Sequence, residues 1–216
     1  MSTLDDTRAD HIRQPLTTGR IVAAAIAYAD EHGLDKLSMR KLAKSLGYEV
    51  MSLYNHVASK DAMIDAMLDA VAGEMPWATP GGEWKAELRR SMIGALRVLQ
   101  AHPWAVTLWN ARMPGPDRLA FMEATMATLL KAGLSDQMAD HGFHALANHL
   151  QGYALQEQTF SVPVEGDMQD VLVQFRRTLD PERYPAMVAH VEWHMTDPEA
   201  YEFEFVLDLI LDGLEA

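Results

Sequence analysis

Apolar side chains along this chain recur three and four positions apart and nowhere in sustained alternation, so the pattern predicts helices throughout and an all-α fold. Pro15-Leu16-Thr17-Thr18 opens a first helix in which Ile21, Ala25, Tyr28 and Ala29 share one face, and Gly33 ends it. Leu34 and Leu37 in the connection plug a small core. Ser38 caps a short helix starting at Met39, where Leu42, Ala43 and Leu46 lie on one face and Arg40, Lys41 and Lys44 on the other. Gly47 is the residue that leaves this helix through a left-handed conformation, and Tyr48 and Glu49 complete a turn of helix-turn-helix length. The next helix, of about two turns, uses Leu53 and Val57 as its inner side. Ser59 then caps a connecting helix whose stripe is Met63, Ile64, Met67, Leu68 and Val71, ending near Gly73.

The stretch Met75 to Gly82 (MPWATPGG) is a dense cluster of helix breakers, and the domain boundary is read there. That gives residues 1–14 as a flexible polar arm, 15–74 as a three-helix domain with its connecting helix, and 83–216 as a second, larger helical domain. The second domain starts with Leu88, Met92, Ala95, Leu96 and Leu99 on one face from Trp84 to Ala101. A short aromatic piece, Trp104 to Met113, follows His102-Pro103. A helix from Asp117 carries Leu119, Met122, Met126, Leu129 and Leu130 and closes at Gly133. Ser135 caps a long helix through Phe143, Leu146, Leu150 and Leu155, reaching about Phe160. Residues 161–168 read as a loop, followed by a helix from Gln169 to Leu179 and a short one after Asp180-Pro181. Asp197-Pro198 opens a last helix, Glu199 to Leu214, with Phe203, Val206, Leu207, Ile210, Leu211 and Leu214 at helical spacing.

Composition narrows the class. The chain has 216 residues, 49% apolar, which suffices for a true core, and no Cys. No apolar run reaches the length of a membrane span and no leader precedes the first helix, so a cytoplasmic protein with no membrane partner is expected. Net charge is -13, which by itself speaks against nucleic acid, but the charge is unevenly placed. Arg13 to Lys60 holds seven Lys/Arg against four acids, whereas Pro76 onward holds ten against twenty. Only the N-terminal end is suited to a phosphate backbone.

The residues between Ser38 and Lys60 carry a resemblance. Leu37-Ser38-Met39-Arg40-Lys41-Leu42-Ala43, then Gly47, then Leu53-Tyr54-Asn55-His56-Val57, then Ser59-Lys60-Asp61 resemble the DNA-binding domain of the TetR family of repressors over roughly residues 16 to 72. The order and the gap lengths coincide as well as the residue types. The resemblance implies an N-terminal helix-turn-helix domain, a connecting helix, and an α-helical regulatory and dimerisation domain, working together as a ligand-responsive transcriptional regulator that leaves its operator when a small molecule binds. Val50, Met51, Ser52 and Asn55 are then expected at base edges in the major groove, with Arg40 reaching a guanine or a nearby phosphate. Thr18, Tyr54, His56 and Lys60 are expected on the backbone. Partner copies are expected to pair through the helices near 136–160 and 199–214, with Leu146, Leu150, Phe203, Leu207, Ile210 and Leu214 at the interface.

The second half resembles, more faintly, the regulatory domain of the tetracycline repressors, through Trp84 with Leu88, the His102 region, Leu129-Leu130 with Gly133, Gly152 with Gln158, and Leu209-Ile210 with Gly213-Leu214-Glu215. That class holds its drug as a magnesium chelate. Where its drug and metal ligands fall, this chain has Pro76, Ser91 and, on or near the third position, Trp109, and neither a Pro nor a Trp coordinates Mg2+. A metal-free effector of apolar or aromatic character is expected instead, packed by Trp104, Trp109, Met113, Phe121, Met122, Phe143 and Tyr153, with Asn148, His149, Gln151 and Gln156 as polar anchors. The same residues also suit an ordinary core. No cofactor or metal is expected. Two other classes stay open: a helical dimeric interaction protein without effector, and a metal-dependent enzyme using His141, His144 and His149 or the pair His190/His194. Against an enzyme stand the missing zinc-protease pairing, nucleophile elbow and phosphate loop.

Overall fold

The computed structural model describes residues 15–160, 168–196 and 202–215. Every element among them is helical. The expected arm at 1–14, the loop at 161–167 and the start of the last helix at 197–201 lie outside the described residues. Two compact units are formed, Met1–Ile64 and Asp65–Ala216.

The first unit begins with α1 (Thr18–His32), whose N-cap Thr17 accepts the Arg20 N–H at 3.2 Å. A 3-10 turn (Leu34–Lys36) leads to α2 (Met39–Leu46), where the Ser38 hydroxyl accepts the Lys41 N–H at 3.2 Å. Gly47 ends α2 at φ 74°, a left-handed conformation that costs a residue with a Cβ about 1 kcal/mol. The chain turns at once into α3 (Val50–Tyr54), held by the fully buried Leu53. Ser59 caps α4 (Lys60–Gly73) by accepting the Ala62 N–H at 3.0 Å.

In the second unit α5 (Trp84–Ala101) and α8 (Asp136–Phe160) pack against each other, flanked by α6 (Pro103–Val106), α7 (Pro116–Lys131) and α11 (Phe203–Asp212). Leu88, Met92, Leu99, Leu129, Leu146 and Leu207 are their fully buried core. Helices α9 (Met168–Thr178) and α10 (Pro185–Thr196) pack on one another.

The division into compact units falls inside α4, whose last turns bond within the second unit. Asp69 there accepts the backbone N–H groups of Asp117 and Arg118, and Arg112 pairs with Asp65 at 2.8 Å. The breaker cluster is a bend within that unit, tied to α5. Arg90 donates to the Trp77 carbonyl at 2.8 Å, and Met75 and Ala78 are buried. Glu87 accepts from Arg90 and from the Thr79 N–H, and these two donors hold its carboxyl down at about 2.

The buried face of α7 differs from the one read in the sequence, and that of α11 is the stripe read but packs within the second unit. On α7 the buried stripe is Arg118, Phe121, Thr125, Thr128 and Leu129, whereas Leu119, Met122 and Leu130 are exposed. Burying the threonines costs little, because Thr125 and Thr128 donate to the carbonyls of Phe121 and Ala124 one turn back. On α11, the acids Glu204, Asp208 and Asp212 lie toward α5. Arg89 reaches Glu204 and Asp208 at 2.7 Å each, which raises its own pKa, and Lys85 lies 3.5 Å from Asp212. This rotation buries Phe203, Leu207, Leu211 and Leu214 within the second unit and leaves Phe205 and Leu209 about 60% exposed.

Candidate nucleic-acid interface and effector region

In the first unit, α3 is a two-sided helix. Leu53 and Val57 are buried, which turns Met51, Tyr54, Asn55 and His56 to the surface and leaves Val50 and Ser52 half-buried. Met51 is the most open of them at 70%. A thioether so exposed is poor for solubility and suits a surface of methyl groups and base edges. Arg40, Lys41 and Lys44 are exposed on α2 beside it. The end of α3 is fastened to the start of α1 by Thr18, whose hydroxyl donates to the His56 carbonyl at 3.3 Å.

Lys60 differs from a free phosphate ligand. Its ammonium donates to the Leu37 carbonyl at 2.7 Å, and Lys41 donates likewise to the Lys36 carbonyl at 3.0 Å, so two cations cover the carbonyl end of the 3-10 turn. Both hold the turn in place before α2.

The eleven residues expected around an effector are divided among the core, the surface and helix-to-helix contacts. Trp104, Trp109 and Phe121 are buried, but Met113 is 87% exposed, and Met122, Asn148 and Gln156 also lie at the surface. His149 stacks on the Phe203 ring at 4.5 Å, with its Nε2 2.9 Å from the Phe203 carbonyl, and Tyr153 meets the same ring edge-on, so these two secure α11 to α8. Phe143 is half-buried, edge-on to His144. Gln151 pairs with Asn110 through both side-chain amides. A helix read as one apolar stripe thus serves several unrelated contacts.

The described cavity is an open cleft of about 600 Å³ lined by Asp65, Ala66 and Asp69 of α4 and by residues 112–116. Of the expected pocket residues only Met113 borders it. Beside this cleft, sequence reading passed over Arg118. Its side chain is buried on Trp109, with the guanidinium carbon 4.7 Å from the ring, and its terminal nitrogens donate to the carbonyls of Trp109, Arg112 and Met113. Burial lowers its pKa, opposed by the charges of Asp69 and Asp65. Among the described residues two buried polar atoms have no protein partner, Arg118 Nε and Ser91 Oγ. The signal for Arg118 was a charged residue in register with Phe121 and Thr125 on one face.

Two of the positions that the resemblance sets against the tetracycline chelate ligands, Pro76 and Trp109, are taken up by packing. The Pro76 ring lies over Gly94, where a Cβ would stand 2.1 Å from its Cγ, and Trp109 is covered by Arg118. Among the described residues no group of three or more His, Asp or Glu is placed to hold a metal, and His190 and His194 contact each other ring to ring at 4.5 Å. No helix among them is long and apolar enough to cross a membrane.

Residues 21–67 match the family described as bacterial regulatory proteins, tetR family, and residues 75–216 match the tetracyclin repressor-like C-terminal domain. An HTH-type transcriptional regulator of Saccharopolyspora erythraea is 34% identical over 81% of this chain and 75% of its own. The HTH-type transcriptional repressor DrrR1 of Streptomyces coeruleorubidus is 32% identical over 93% of this chain and 77% of its own. Among solved structures, apo ActR from Streptomyces coelicolor superposes with a TM-score of 0.80 at 31% identity, covering 93% of this chain and 95% of ActR. The same protein in complex with actinorhodin gives 0.77 at the same identity, over 93% and 97%.

Proposed function

The chain belongs to the tetR family and is a ligand-responsive DNA-binding transcriptional regulator, and on that premise we propose that it is a cytoplasmic, homodimeric repressor released by a metal-free small molecule. One observation carries the assignment of the DNA-facing residues. α3 turns Met51, Tyr54, Asn55 and His56 outward from an anchor of Leu53 and Val57, with Arg40 exposed on the preceding helix. Val50, Met51, Ser52 and Asn55 face base edges, Arg40 reads a guanine or grips a nearby phosphate, and Thr18, Tyr54 and His56 hold the backbone, with Lys60 adding charge from its place at Leu37. The test is selection of a duplex from random sequence followed by a salt titration. Binding should be sequence-selective, and log K should fall linearly with log salt. A protein that enriches no sequence, or whose binding ignores salt, is not this regulator.

Copies pair through α8 and α11. With Leu146, Leu150, Phe203, Leu207 and Leu214 used in the subunit's own core, the partner-facing positions are Phe205 and Leu209 with half-buried Val206 and Ile210 on α11, and Leu155 on α8.

The effector enters among buried Trp104, Trp109 and Phe121, and its polar end is met by Ser91 or Arg118, whose Oγ and Nε lack partners. That ActR was solved with actinorhodin supports a small organic effector. Pro76 on Gly94 and Arg118 on Trp109 support one that needs no metal. Micromolar tetracycline is therefore expected to leave the operator complex intact with Mg2+ or with EDTA, while hydrophobic aromatic ligands release it equally under both conditions and quench Trp fluorescence. Release by tetracycline that EDTA abolishes would overturn the metal-free reading.

A further inference from the structure

The N-terminus of α7 is capped by another helix. Its N-cap residue is Gly115, which has no side chain to offer, and the first helical residue, Pro116, has no N–H. The N–H groups of Asp117 and Arg118, where a capping side chain normally bonds, both donate to Asp69 Oδ1 of α4 at 3.0 Å. A Cβ at Gly115 would fall 2.5 Å from Asp69 Cγ, so the carboxylate occupies the space of the missing cap. One turn earlier on α4, Asp65 pairs with Arg112 at 2.8 Å. At the end of α4, a Cβ on Gly73 would come within 3.0 Å of Asp117 Oδ2. From the α7 side, Arg118 donates to the carbonyls of Trp109, Arg112 and Met113. The segment between α6 and α7 is thus clamped by α7 on one side and by α4 on the other.

We infer that Asp69 is the positioning residue of the regulatory response, setting α4 by capping α7 in trans so that a displacement of α7's first turn or of residues 107–115 is passed to α4. The inference rests on the reading of the chain as an effector-responsive regulator. A charged cap bonded to two N–H groups and complemented by the helix dipole is strong enough to hold two helices in one register. Because α4 is one helix from Lys60 to Gly73, its second half cannot shift along its axis without the first. In the effector-free protein the cap holds the operator-binding setting.

The experiment measures affinity for the duplex selected by the parent protein, together with hydrogen exchange at the Asp117 and Arg118 amides and thermal stability. Asp69→Ala should weaken operator binding by about tenfold or more and speed exchange at both amides. Asp69→Asn keeps an acceptor oxygen and should stay within about threefold of the parent. Gly115→Ala adds only a methyl group, which displaces the carboxylate, and should weaken binding by about tenfold. In the pair Asp69→Ala with Gly115→Ala that clash is gone, so the double variant should bind no worse than Asp69→Ala alone. A residue that only stabilises the fold would lower Tm and leave the operator affinity of the folded protein unchanged. Affinities within about threefold of the parent for Asp69→Ala and Gly115→Ala would overturn the inference. If Asp69→Ala does not fold, Gly115→Ala decides by the same criterion. A parent protein that selects no duplex would instead overturn the reading beneath it.

Discussion

Phe205→Asp combined with Leu209→Asp is expected to give a folded monomer, whereas Leu207→Asp, two residues from either, is expected to give no folded protein. The two outcomes follow from the rotation of α11. Its acids Glu204, Asp208 and Asp212 are held toward α5 by Arg89 and Lys85, which sends Leu207 into the subunit's own core at 0% exposure and Phe205 and Leu209 outward at 62% and 59%. A carboxylate at Leu207 replaces core packing with an unpaired buried charge. Such a charge costs several kcal/mol even after relaxation, a large part of the roughly 5–15 kcal/mol that holds a domain together. Carboxylates at 205 and 209 stay in water while the chain is alone and meet their symmetry mates only when two copies pair, so the cost falls on association. Light scattering gives the mass and far-UV circular dichroism the helix content. A double variant that keeps dimer mass at micromolar concentration would remove Phe205 and Leu209 from the interface. The monomer should also lose about 10²- to 10⁴-fold in operator affinity, since the second half-site is then no longer bound at high effective concentration.

Arg40→Ala should weaken the selected operator by about 10- to 100-fold and a scrambled duplex by much less. A guanidinium paired with a guanine edge is worth about 1–3 kcal/mol of discrimination, whereas a contact to phosphate is shared by all sequences. Lys60→Ala should act on both duplexes alike and flatten the salt slope by about one ion. It should also cost some stability, because the Lys60 ammonium is bonded to the Leu37 carbonyl in the free protein. Fluorescence anisotropy over a salt series separates the two behaviours. If Arg40→Ala binds the operator as the parent does, Arg40 does not read it.

The first unit was legible because its signals are local. Ser38 and Ser59 cap α2 and α4, Gly33 and Gly47 end α1 and α2, and each decision involves residues within one turn of each other. The helices of the second unit were legible for the same reason, down to the Ser135 hydroxyl accepting the Met138 N–H. Which face is buried was legible on α4 and α5, whose expected stripes are the buried ones, but not on α7. α7 carries apolar residues on more than one side, so periodicity identifies the helix without saying which stripe goes inward, and on α11 it gives the inward stripe without saying what that stripe packs against. On α7 the choice was made by the threonines and Arg118, which satisfy their polar atoms locally, and on α11 by the ion pairs with Arg89 and Lys85. Both sets of partners lie outside the stripe being read. The effector residues suffered most: side chains chosen for aromatic or amide character proved to be spread between core, helix-to-helix ties and surface. The trans cap of α7 was invisible, since a Gly before a Pro reads only as a break, and its partner Asp69 lies 46 positions upstream.

The shortness of α3 has a consequence for how information leaves this molecule. A helix of five residues is below the length at which nucleation is repaid by its own hydrogen bonds, so α3 exists only while Leu53 remains locked in its socket. It has no folded state of its own to switch into. A signal arriving along the chain can carry this short helix bodily nearer to or farther from a groove, or cost it its shape altogether, but it cannot rewrite the letters that the helix spells. On the proposed reading, the sequences recognised are therefore the same in every state in which α3 is folded, and regulation acts through its spacing or its loss.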